Sequence, residues 1–318
     1  MPRKHSWLRK FSRRYKDRQG VVPWLLAFPQ LAIFRLLRFL PETVVYGLSA
    51  WIGKLALLSS RRRAIGRAHI EQAIPKLSPG RVDFILRQSC AHLGRSGADA
   101  MVLWPRRDLS KMNARCEFED GALELLEQYR GRGVIFIQAH LGAIEMTTTA
   151  IANFGFKPAT VMRRPSNWYL AEELLAVRNR IDGEVLPREG ALKRMLSRLK
   201  NEESVVLTFD QNARNKPIFV PWFGRLAATE RTPAALAAKT GAPVMLSWCV
   251  RQDGIKPFRF GCRLVRAGLV ERADEKRLAA ITTEFHRALE EVILEHPEQY
   301  LWIHDRYRTR PLQNIIAP

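Results

Sequence analysis

The chain lacks the features that mark several common protein classes. Among its 318 residues are four cysteines, Cys90, Cys116, Cys249 and Cys262, with no C-x-x-C spacing and no histidine cluster beside them. Neither a zinc site nor a disulfide framework is expected, and four reduced, partly buried thiols fit a protein on the cytoplasmic side of a membrane. Gly-rich phosphate loops and metal-ligand spacings are missing as well, so no metal and no cofactor is implied. Internal repeats and low-complexity tracts are absent. Acidic residues are scarce: 31 Asp and Glu face 52 Lys and Arg, for a net charge of +21. Such an excess asks for an anionic partner, whether nucleic acid, an acidic membrane, or an acidic protein or substrate. Finger spacing, an RNP-like aromatic block and a basic zipper are all wanting, which argues against nucleic acid.

Nor is there a long uninterrupted apolar run. The first twenty residues carry eight Lys and Arg against Asp17, and the apolar stretch that follows, 21–40, is interrupted by Pro23, Pro29, Gln30, Arg35 and Arg38. It is not the short clean core of a secretory signal, and it falls short of a spanning helix. Ile33, Leu36, Leu37 and Leu40 recur at helical spacing with Arg35 and Arg38 off the stripe, the pattern of a basic amphipathic helix in a lipid interface. A second apolar run, 44–58, contains Lys54 and is followed by Arg61, Arg62 and Arg63, which suit an anionic cytoplasmic leaflet. Whether this region spans or lies on a membrane stays open, as does a plain role as core or lid helices. Residues 1–60 are expected to form a basic, apolar, membrane-associating extension, and residues 61–318 the main domain.

What is present is an alternation of elements. Residues 77–103 read as mixed helix, broken at Pro105. Short continuous apolar runs follow at 134–137, 159–162, 205–209 and 244–250, as expected of strands buried on both faces. Helical patterns lie between them, at Leu192, Met195, Leu196 and Leu199, at 234–239, and along Leu278, Ile281, Phe285, Leu289 and Val292. The implied fold class is α/β: a mixed, mostly parallel sheet flanked by helices, with a helical, apolar, basic N-terminal extension.

The segment most suggestive of chemistry is Gln138-Ala139-His140-Leu141-Gly142-Ala143-Ile144-Glu145. His140 follows a buried strand directly, and in open α/β sheets sites collect at the carboxyl ends of strands. Glu145 lies five residues on, about 140° around the axis of a continuous helix, so the two can meet only if His140 precedes the helix. A neutral imidazole so placed can take a proton from an alcohol attacking a carbonyl. A carboxylate on its other nitrogen would fix the tautomer and stabilise the imidazolium. On its own the spacing is a weak signal, because a histidine after a strand is more often a structural hydrogen-bonder.

Read in order, however, the stretch resembles the His-x4-Asp/Glu motif of the glycerolipid acyltransferase superfamily. The rest is similar to its lipid A biosynthesis (lauroyl/myristoyl) acyltransferase branch. Arg164-Pro165 with Asn167, then Arg178, Leu186-Pro187-Arg188, Asp210-Gln211, Trp222-Phe223-Gly224, the 240–244 Thr-Gly-Ala-Pro-Val block and the closing 297–302 segment with His304 and Arg306 follow the order of that family, over roughly residues 40–310. The resemblance implies an O-acyltransferase with His140 as base and Glu145 as its partner. It implies acyl transfer from acyl-carrier protein, or from acyl-CoA, to an anionic glycolipid, a lipid A precursor, at the cytoplasmic face of a bacterial inner membrane. A lysophospholipid or other glycolipid acceptor is the alternative. Arg163, Arg164, Asn167, Arg178, Asp210 and Gln211 become candidates for substrate binding. Ion pairs of these arginines with Glu172, Glu173 or Asp182, and a supporting role for Asp210 and Gln211, are the plainer readings. Trp222 and Phe223 could line an acyl groove or pack in the core. Trp222, the doubled Arg163-Arg164 and Glu230-Arg231 depart from the usual pattern and bear on the acceptor.

Overall fold

The computed structural model describes residues 15, 17–162, 164–180 and 183–311. Ten helices run in chain order among these residues: α1 (Val21–Leu37), α2 (Glu42–Lys54), α3 (Ser60–Ala73), α4 (Pro79–Ala98), α5 (Ala122–Gln128), α6 (Ile144–Asn153), α7 (Trp168–Arg178), α8 (Ala191–Lys200), α9 (Thr232–Thr240) and α10 (Glu275–Glu295). The strands are β1 (Cys116–Phe118), β2 (Ile135–Gln138), β3 (Pro158–Val161), β4 (Glu184–Leu186), β5 (Ser204–Thr208), β6 (Ile218–Trp222), β7 (Arg225–Thr229), β8 (Val244–Arg251) and β9 (Phe258–Arg266). Seven of them form one sheet in the order β1-β9-β8-β2-β5-β3-β4, while β6 and β7 pair separately as an antiparallel ribbon. Every pairing in the large sheet is parallel except β8 with β9. The fold is therefore α/β, with a mixed and mostly parallel sheet.

Strand β2 lies at the middle because its sequence leaves it no alternative. Ile135, Phe136 and Ile137 are all fully buried, so both faces of the strand need a covering layer. Period-two alternation divides the contacts. Ile135 and Ile137 join Val205, Leu207, Val244 and Leu246 in a core closed by α4, α8, α9 and α10. Phe136 joins Val206 and Met245 in the opposite core, with Met146, Ala150 and Ile151 of α6.

The N-terminal helices pack onto this body. α1 turns Pro23, Ala27 and Leu31 inward at i, i+4, i+8 spacing, and Pro29 sits inside the helix without ending it. Arg38 is tied to Glu173 at 2.5 Å and to the Met101 carbonyl at 2.9 Å. α2 crosses α4 through two glycines. A Cβ on Gly53 would come 2.1 Å from the Cys90 carbonyl oxygen, and one on Gly94 would come 1.9 Å from that of Ser49. No single helix among the described residues is long and apolar enough to cross a membrane.

Sequence reading and structure part company at several elements. The ribbon β6–β7, strand β9 and the three-residue strands β1 and β4 lie outside the expected runs. Trp222-Phe223-Gly224 is the ribbon's tight turn: Phe223 and Gly224 take φ of 46° and 76°, the mirror-image turn that two-residue hairpins favour. Trp222 itself is buried against His286 and Phe223, which makes it core.

Candidate active site

The register of two neighbouring strands builds the site. β2 and β5 run parallel with Gln138 opposite Thr208, their side chains bonded at 2.8 Å. Two residues further along each strand stand His140 and Asp210, which the same 70-residue offset sets side by side. The chain leaves β2 towards β3 on one side and leaves β5 towards β8 on the other, so the carboxyl ends of these strands border a topological switch point.

Asp210 holds His140 twice. Its Oδ2 accepts the His140 backbone N–H at 3.0 Å, and its Oδ1 lies 2.6 Å from the imidazole Nδ1. Nδ1 therefore carries the proton, and the lone pair is on Nε2, which accepts from the Gln211 side-chain amide at 3.1 Å. The Asp210 carboxylate is buried, whereas the imidazole side chain retains 30% exposure. Burial alone would push the His140 pKa down, but the charge and hydrogen bond of Asp210 outweigh it and hold the ring above its ordinary value. Burial likewise favours protonation of Asp210, and the adjacent imidazole overrides it and keeps the carboxyl below the usual range.

The turn carrying His140 is fixed from three directions. Gly142 has φ of +60°, and a Cβ there would lie 2.2 Å from the Cys249 carbonyl oxygen, so only glycine fits. Its N–H donates to Gln299 at 3.1 Å, while the His140 carbonyl accepts from Leu301 at 3.1 Å, joining the turn to the closing segment. The Gly142 carbonyl accepts from the Ser96 hydroxyl at 2.7 Å and from Arg251 at 2.9 Å. Arg306, buried, donates to the Gln211 carbonyl at 3.1 Å and to the Thr229 hydroxyl at 2.6 Å. His304 Nε2 accepts the Asn212 N–H at 3.1 Å.

The other expected site residues fall as follows. His140 precedes α6 and Glu145 lies in its first turn, as the pairing required. Glu145 nevertheless bonds Arg178 at 2.5 Å. No His140–Glu145 bond is formed among the described residues: the carboxylate on Nδ1 is Asp210, and Nε2 meets the Gln211 amide. Arg164 pairs with Glu172 at 2.5 Å and not with Asp210. Asn167 is the cap of α7, its Oδ1 accepting from the N–H groups of Tyr169 and Leu170 at 3.0 and 3.3 Å while its amide donates to the Pro23 carbonyl at 2.8 Å. Arg163 lies outside the described residues. All four cysteines are buried and free. Among the described residues no group of three or more His, Cys, Asp or Glu could hold a metal ion.

A buried carboxylate on one imidazole nitrogen and an amide on the other, at the end of a parallel strand, place a candidate proton acceptor in an α/β fold. The chain belongs to the bacterial lipid A biosynthesis acyltransferase family, which matches residues 9–309. It is similar to the lipid A biosynthesis palmitoleoyltransferase of Escherichia coli, 26% identical over 95% of this chain and 96% of that protein. It is equally similar to the lauroyltransferase of the same organism, 26% identical over 96% and 97%. A lipid A biosynthesis acyltransferase of Haemophilus influenzae is 23% identical over 88% and 89%. The chain is an O-acyltransferase of that type.

Proposed function

We propose that this enzyme moves a fatty acyl chain from an acyl-carrier protein thioester to a hydroxyl of an anionic glycolipid, a lipid A precursor, with His140 as general base. The observation that carries this reading is the 2.6 Å contact between Asp210 and His140 Nδ1, which leaves Nε2 as the proton acceptor. The acceptor hydroxyl takes the place of the Gln211 amide at Nε2. As its oxygen attacks the thioester carbonyl carbon, its proton passes to Nε2 and the imidazolium is stabilised by Asp210. The tetrahedral oxyanion collapses, the C–S bond breaks, and the imidazolium returns the proton to the departing thiolate. Ester and free thiol are the products, and no covalent enzyme intermediate is needed. Gln211, once it yields Nε2 to the hydroxyl, provides an amide donor close to the reacting oxygens.

The surface supports membrane association. Val21, Leu25, Ile33 and Leu36 of α1, Phe39 after it, Trp51 and Ile52 of α2, and Leu58 are exposed large apolar residues within residues 21–58, which supports their role as a membrane-associating region. The test is transfer from radiolabelled acyl-carrier protein to a tetra-acylated lipid A precursor. Wild type should acylate it and folded His140→Ala should not. Transfer only from acyl-CoA, or only to a lysophospholipid, would replace donor or acceptor, and undiminished transfer by His140→Ala would overturn the mechanism.

A further inference from the structure

A pocket of about 340 Å³ opens beside the catalytic loop, lined by Ser59, Arg61 and Arg62 where α3 begins, by Asn212 and Arg214 after β5, and by His304, Asp305 and Arg308 of the closing segment. Four guanidinium groups face one carboxylate, and that carboxylate is already bound to Arg61 at 2.7 Å. Arg62, Arg214 and Arg308 have no ion pair among the described residues. His304 uses Nε2 to accept the Asn212 N–H, so its proton stands on Nδ1 and it can only donate from there. Burial pushes its pKa down and keeps the ring in that neutral form. The contrast with the arginines picked out by family resemblance is plain: Arg164 and Arg178 are neutralised by Glu172 and Glu145.

Resting on the acyl-transfer reading, we infer that this pocket, centred on Arg62, Arg214 and Arg308, holds a phosphate group of the substrate while the reacting hydroxyl sits at His140. Unpaired guanidinium forks match a phosphate's oxygens, and several of them together select an anion of more than one charge. Its position also fits. Asn212 in the wall directly follows Gln211, whose amide touches His140 Nε2. Ser59 in the rim directly follows Leu58, which is 80% exposed at the end of the apolar face. A lipid entering along that face would bring its acyl chains past Leu58 and its charged head into the arginines. Two substrates could supply the phosphate, the anionic glycolipid acceptor or the phosphodiester of the carrier's prosthetic arm.

The test uses the full chain carrying Arg214→Gln with Arg308→Gln. Lys193→Gln with Arg194→Gln, on α8 outside the pocket, serves as a variant of equal net charge. Inorganic phosphate titrated at constant ionic strength should bind the wild type and the α8 variant alike and the pocket variant several-fold more weakly. In the transfer assay the pocket variant should show KM for one substrate raised about tenfold or more, with a smaller fall in kcat. A rise for the glycolipid that disappears when its phosphate is removed identifies the acceptor, and a rise for the carrier thioester identifies the prosthetic arm. Arg214→Lys with Arg308→Lys should recover much of the loss. Equal phosphate binding and unchanged KM values in the pocket variant would overturn the proposal. A wild type that binds phosphate through these arginines but transfers no acyl group would instead overturn the acyl-transfer reading and leave the pocket standing.

Discussion

At the residue scale the proposed mechanism depends on which carboxylate faces His140 Nδ1. Asp210 does, and it holds the imidazole above its ordinary pKa against the opposing effect of burial. A general base works only when neutral, so the acid limb of kcat/KM should titrate above the ordinary histidine value of about 6.5. In Asp210→Asn the supporting charge is gone and burial remains, which moves that limb to lower pH. The rate at its plateau should fall by roughly 10²–10⁴, because the tautomer and the imidazolium lose their partner. An unshifted limb in a folded, slow variant would remove Asp210 from this role. The linkage to stability has two edges. The raised His140 pKa contributes fully below about pH 6.5 and fades as pH rises through the folded value; the depressed Asp210 pKa contributes fully above about pH 4 and fades as pH falls through its own. His140 was legible in the sequence, because a buried strand ended just before it. Asp210 was visible as a strand-end residue, but its pairing was not, since the contact depends on β5 lying next to β2 across 70 residues of chain. Glu145 stands at the spacing of the family's His-x4-Asp/Glu motif, whereas in space it pairs with Arg178.

At the scale of elements, glycine spacing decides how α2 reaches the body. In an open helix position Gly→Ala gains about 1 kcal/mol. Gly97 of α4 has no heavy atom within 4 Å of a new Cβ, so Gly97→Ala should stabilise the protein by about that amount. Gly94 lies one turn earlier on the same helix, where a Cβ would come 1.9 Å from the Ser49 carbonyl oxygen. Overpacking there costs about 1–3 kcal/mol and should exceed the propensity gain. Gly94→Ala is expected to lower the urea midpoint and to speed hydrogen exchange in α2, with Gly97→Ala doing the opposite at the midpoint. Equal stabilisation by both would mean that the helices do not pack at this distance. The expected core strands and the helices between them were readable because continuous apolar runs and 3.6-residue periodicity are strong signals. The ribbon β6–β7 was passed over, although Ile218, Val220 and Trp222 alternate inward along β6. Its Pro221 argues against a central strand, but a two-stranded ribbon tolerates proline at an edge. Strand β9 shows the same alternation at Phe258, Phe260 and Cys262, and β1 and β4, at three residues each, are too short to carry a period.

At the scale of the whole molecule, the proposed membrane association would draw separately on a net charge of +21 and on an exposed apolar face. Basic residues near an anionic surface contribute about 1 kcal/mol each and are screened by salt, while apolar burial is worth about 25 cal/mol per Å² and is not. α1 has 17 residues against the roughly 20 that a span requires, while the bent pair 42–58 and 60–73 has the length and composition of a broken span. The purified full chain should co-sediment with vesicles containing anionic lipid more strongly than with zwitterionic ones. Raising salt from about 0.1 to about 1 M shortens the screening length from roughly 10 to 3 Å, and should weaken that binding without abolishing it. Replacing Leu48, Trp51 and Ile52, which are 43%, 61% and 55% exposed, by serine should lower binding to both vesicle types and leave the salt-dependent difference between them intact. These side chains are already exposed, so stability should change little and the loss can be assigned to the lipid contact. Full retention of binding by the triple variant would dismiss this face as the docking surface. Loss of all binding at high salt in the wild type would leave charge alone to account for vesicle binding.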